Sequence, residues 1–122
     1  MSPGDAESVQ GGTARPDQVV LLISNAPDEQ TAFEIAQALV DEGLAACVNV
    51  LAPCRSVYRW QGKVEQASEV PLLVKTVAAR VPALIARVRE LHPYELPEVI
   101  TIPIVDGLRP YLDWVVDSTK AR

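Results

Sequence analysis

The sequence is short of the residues on which most catalytic and metal chemistry depends. It holds one histidine, His92, and two cysteines, Cys47 and Cys54, among 122 residues. Two thiols are too few for a disulfide framework, and their spacing fits neither a Cys-x-x-Cys redox pair nor a four-ligand zinc pattern. Such cysteine usage implies a reducing cytoplasm. Aromatic residues are scarce, with two Trp, three Tyr and one Phe. No apolar run approaches the roughly 20 residues that a membrane-spanning helix needs, so no membrane partner is expected. Lysine and arginine number 11 against 16 acids, a formal charge of -5 with no basic cluster. A nucleic-acid backbone would be repelled by that surface. A phosphate-cradling glycine loop is missing as well, because Gly11-Gly12 lies near the start of the chain and the other glycines are isolated.

What is present describes one globular domain. Apolar residues make up 48% and charged residues 22%, enough to enclose a single core in a chain of this length. Residues 1–18, MSPGDAESVQGGTARPDQ, are rich in Gly, Pro and small polar residues and lack the basic start and apolar centre of a signal peptide. They read as a disordered tail, with residues 19–119 as the domain.

Along the domain, the apolar run Val19 to Ile23 predicts a short strand. Asn25, Pro27 and Asp28 then supply helix-start signals, and Ala32, Ile35, Ala36, Leu39 and Val40 recur at helical spacing until Gly43. Leu44 to Leu51 and Ser56 to Trp60 predict a second strand, interrupted by a bend near Ala52 to Cys54. Gln61-Gly62 closes a tight hairpin into a third strand, Lys63 to Val77, in which Pro71 marks a bulge or an exposed edge. Pro82 opens a second helix with Leu84, Ile85, Val88 and Leu91 on its inner face, and His92-Pro93 stops it. Val99 to Val105 is a fourth strand. Asp106-Gly107 turns into a last helix carrying Leu108, Tyr111, Leu112, Val115 and Val116.

The order βαββαβ is that of a ferredoxin-like α+β sandwich with one extra C-terminal helix. Helices cover one face of such a sheet, while Leu72, Leu73 and Val74 place apolar side chains on both. The uncovered face therefore calls for a closed oligomer.

The runs NAPDE (Asn25 to Glu29), LAACVN (Leu44 to Asn49), SVYRWQGKVE (Ser56 to Glu65), LVKT (Leu73 to Thr76), HPYELPE (His92 to Glu98) and YLDW (Tyr111 to Trp114) occur in an order and at spacings that resemble the CutA family of divalent-cation tolerance proteins. The similarity covers about Val19 to Ser118. It implies a homotrimer in which long hairpins from the second and third strands wrap neighbouring subunits. It also implies a role in tolerance to copper and other divalent ions, with no settled reaction.

Two site readings follow. His92 offers an imidazole nitrogen and Glu98 a carboxylate, an N/O set acceptable to copper or zinc; the alternative for His92 is a helix-ending residue that hydrogen-bonds within the fold or across an interface. Members of the resembled family proposed to bind copper can carry a cysteine at the end of the first strand and a second histidine before Pro-Tyr. This chain has Ser24 and Leu91 there. The other reading is an intersubunit cleft or interface built from Tyr58, Trp60, Glu65, Lys75, Tyr94 and Trp114, with Lys75, a charge among apolar neighbours, paired to Glu65 or Glu98. Together these predict a cytoplasmic homotrimer that binds or senses divalent cations such as copper and is not an enzyme. The alternative is a trimeric module that binds a small molecule or partner protein and has no direct metal role.

Overall fold

The computed structural model describes residues 15–121. The first 14 residues of the expected tail lie outside them. Pro16 and Gln18 are tied into the domain, because their carbonyls accept from Ala79 N and Ala78 N and the Gln18 amide donates to Ile104 O.

The elements are β1 (Val19–Ala26), α1 (Glu29–Asp41), β2 (Cys47–Val50), β3 (Cys54–Trp60), β4 (Lys63–Val77), a short 3-10 turn (Ala78–Arg80), α2 (Val81–Leu91), β5 (Val99–Pro103) and α3 (Arg109–Ser118). The sheet runs β2-β4-β1-β5, with β3 attached to β4, and every pairing is antiparallel. This is the ferredoxin-like arrangement with a third helix.

Strand β4, 15 residues long, serves twice. Its C-terminal half lies between β1 and β2, and its N-terminal half forms a hairpin with β3. Val50 pairs with Leu72 but Cys54 with Glu69, so residues 51–53 stand opposite only residues 70–71. That extra residue is a bulge. In a strand the N–H and C=O of one residue point to the same side, and the Pro71 carbonyl accepts from Leu51 N. The donor that proline lacks therefore faces the bulge, and the ladder with β1 loses nothing. The hairpin turns on Gln61 (φ 50°) and Gly62 (φ 80°), the pair of positive angles that matches the twist of the strands.

Helix α1 starts where the Asp28 side chain accepts from Thr31 N at 2.7 Å. It ends where Leu44 N bonds to Leu39 O and Gly43 N to Val40 O, with Gly43 at φ 72°. Alternation along the strands sends Leu22, Val70, Leu72 and Val74 to one face, where Ala32, Ile35 and Leu39 of α1 and Leu84 and Val88 of α2 bury them. On the opposite face α3 covers one corner, packing Leu112 and Val115 on Val19 and Val77. The rest of that face is open. Ile100 and Ile102 of β5, paired with Ile23 and Leu21, stay 51% and 45% exposed.

Candidate functional site

The loop 92–98 is anchored by its histidine. His92 is 6% exposed. Its Nε2 lies 2.5 Å from the Asn25 carbonyl, and its Nδ1 is 3.1 Å from Tyr94 N. A carbonyl can only accept and a main-chain N–H can only donate, so the ring is the Nε2–H tautomer with both nitrogens engaged. The Tyr94 ring leans on the imidazole with centroids 4.6 Å apart. Asn25 also donates from Nδ2 to Glu98 Oε1 at 2.9 Å. One residue at the end of β1 thus holds both ends of the loop.

The anchored loop faces the β3–β4 hairpin across a cleft of about 730 Å³, within the range of small-ligand sites. Tyr58, Trp60 and Glu69 line the hairpin side; Tyr94, Glu95, Leu96 and Glu98 line the loop side. Three carboxylates and three aromatic rings line the cleft, and among the described residues no lysine or arginine does. The Tyr94 hydroxyl has its pKa raised, first by burial and then by the charge and hydrogen bond of the neighbouring Glu69 carboxylate.

The structure brings together Tyr58, Trp60, Tyr94 and Glu98 of the expected residues, and leaves four others apart. Glu65 is the register partner of Tyr58 but does not line the cleft. Within one chain, Lys75 makes no ion pair with Glu65 or Glu98 among the described residues: ten positions separate it from Glu65 on one extended strand, about 33 Å at strand rise. Its ammonium donates instead to the Asn49 amide oxygen, beside its register partner Cys47. Trp114 belongs to α3, stacked on Tyr111 at 5.5 Å. Tyr111 sits over Cys47, and burial followed by that thiol raises its pKa. His92 does not project into the cleft as a free ligand; it holds the loop that forms the wall.

Glu95 was visible with Glu98 as a carboxylate beside His92, but Glu69 was missed by sequence reasoning. A signal for Glu69 existed, since a two-residue turn at Gln61-Gly62 sets Trp60 opposite Lys63 and Tyr58 opposite Glu65. Period-two alternation then carries the same face on to Glu69.

Among the described residues no three His, Cys, Asp or Glu side chains converge closely enough to hold a metal ion. Ser24, where a thiol was the alternative, is 2% exposed and its hydroxyl has no hydrogen-bond partner among the described residues. Both cysteines are free, Cys54 exposed and Cys47 partly buried. No helix among the described residues is long and apolar enough to cross a membrane.

The chain matches the family model described as CutA1 divalent ion tolerance protein over residues 20–118. It is 48% identical over 103 residues to the divalent-cation tolerance protein CutA of Thermus thermophilus, covering 84% of this chain and 98% of that one. A solved divalent cation tolerance protein (Cut A1) from Thermus thermophilus superposes with a TM-score of 0.82 at 46% identity, over 84% of this chain and 99% of the other. The structure titled periplasmic divalent cation tolerance protein CutA, from Archaeoglobus fulgidus, gives 0.81 at 34% identity, over 84% and 99%.

Proposed function

The chain belongs to the CutA1 divalent ion tolerance protein family, and from that membership we propose that it acts in divalent-cation tolerance as a homotrimeric module that binds or senses cations such as copper. The carrying observation is the cleft, which Glu69, Glu95 and Glu98 line with no lysine or arginine among the described residues of its walls. A chain of net charge -5 draws cations toward such a recess. Because no three ligating side chains converge among the described residues, a dication would be held there partly through its own water shell, as hard cations often are. The role is one of binding rather than catalysis: His92, the only imidazole, has both nitrogens committed to the fold and is not free to act as a base.

Trimer formation is supported by the open sheet face, with Leu21, Ile23, Ile100 and Ile102 side by side. A reducing cytoplasm is supported by the exposed free thiol of Cys54. A second reading, in which the cleft takes a small molecule or a partner protein with no direct metal role, is favoured by its three aromatic rings, whose apolar faces suit an organic ligand better than a hydrated metal ion. Calorimetric titration with copper and zinc, at a mass fixed by light scattering, separates the two. Saturable heat in a particle of three chains supports the first reading. Negligible heat for both metals ends it.

A further inference from the structure

We infer that the cleft between the β3–β4 hairpin and the loop 92–98 is a site for a small organic cation, an alkylammonium or guanidinium compound. The inference rests on the second reading above, that the cleft receives a small molecule.

Carboxylates alone would be a solvated acidic patch. Here they line a recess whose other walls are Trp60, Tyr58 and Tyr94. The negative face of an aromatic ring attracts a cation that sheds its water easily, and Trp is the strongest of the three ring types. Guanidinium and substituted ammonium ions shed water easily; a small metal dication does not. The carboxylates are also too dispersed to converge on a bare ion, yet they suit a longer molecule that carries charge at more than one point. The wall is set in advance, with Tyr94 held by the His92 ring and Glu98 by the Asn25 amide. Little ordering is left for the ligand to impose.

The test uses the full chain in EDTA, so that its outcome does not depend on metal. Trp114→Phe leaves Trp60 as the sole indole, and its emission reports occupancy. The probes are agmatine and spermidine, with 1,4-butanediol and succinate as neutral and anionic controls and an end-blocked Gly-Lys-Gly peptide as a side-chain control. The expected result is saturable change with both amines and with neither control. In the same background Glu69→Gln and Glu98→Gln should weaken it severalfold and make it less salt-sensitive. Followed by calorimetry, Trp60→Leu should lower amine affinity about tenfold. Should Trp60→Leu fail to fold, the two glutamines, which keep the size and shape of the side chains they replace, still decide. Binding of butanediol or succinate without agmatine would overturn the charge assignment and leave the small-molecule reading standing. Binding of the peptide alone would overturn the assignment to a free molecule, and no binding by any probe would overturn both.

Discussion

The ring Nε2–H of His92 donates to the main-chain carbonyl of Asn25 at 2.5 Å, linking the end of α2 to the end of β1 across 67 positions of sequence. Tyr94 N closes the other side of the ring at 3.1 Å. In His92→Ala a partly buried carbonyl and an N–H lose their partner, at about 1 to 2 kcal/mol each. Denaturant unfolding should show a loss of about 2 to 4 kcal/mol at pH 7. A loss under 1 kcal/mol would mean that the loop does not depend on the ring.

Tyr94 supplies a pH signature. Burial and the adjacent Glu69 carboxylate raise its pKa above the ordinary 10.0, so the folded protein keeps a proton that the unfolded chain gives up. The stabilisation is complete below about pH 10 and is lost as pH rises through the folded value. Absorbance at the tyrosinate band should show a late-titrating component that vanishes in Tyr94→Phe and moves down in Glu69→Gln. An identical titration in all three proteins would remove the Tyr94–Glu69 coupling.

At the hairpin tip, Gln61 occupies φ 50°, a conformation that costs most L-residues about 1 to 2 kcal/mol and Asn less. Gln61→Asn should raise stability by about 0.5 to 1 kcal/mol while leaving strand pairing unchanged. Thermal or denaturant melts measure the gain directly. Destabilisation would show that the glutamine makes a contact beyond its own chain.

Much of this was legible before any coordinates. The Lys63 and Val77 limits of β4, the turn at Gln61-Gly62, the break between β2 and β3 and the Asp28 and Gly43 ends of α1 each follow from a local rule that tertiary contacts did not override. The last strand was expected to reach Val105 but stops at Pro103, although one further bond, from Ile104 N to Val19 O, follows it. Leu108, expected within the last helix, is instead its N-cap and 74% exposed. The site was harder to read, because it depends on which strand segment faces which loop. The two runs that form the cleft were visible as motifs, but the service of β4 to two partners, which carries Lys75 away from Trp60, is a property of pairing rather than of any local pattern.

The open sheet face makes a separate prediction. Ile102 is 45% exposed in the single chain, so Ile102→Glu should change the stability of a monomer by no more than about 0.5 kcal/mol. In a trimer that buries this face the same charge is expelled from the contact, and light scattering should show the mass falling toward one chain. A wild-type mass of one chain, or an assembly indifferent to Ile102→Glu, would take the subunit contact away from this face.

On the proposed reading, the carboxylates of the cleft gather cations while His92 only holds its wall. Copper and zinc titrations of wild type, Glu69→Gln/Glu98→Gln and His92→Gln test it most directly. The predicted result is saturable heat in wild type, its loss in the double variant, and its retention in His92→Gln once that protein is shown to be folded. Heat that survives the double variant but disappears with His92 would contradict the account.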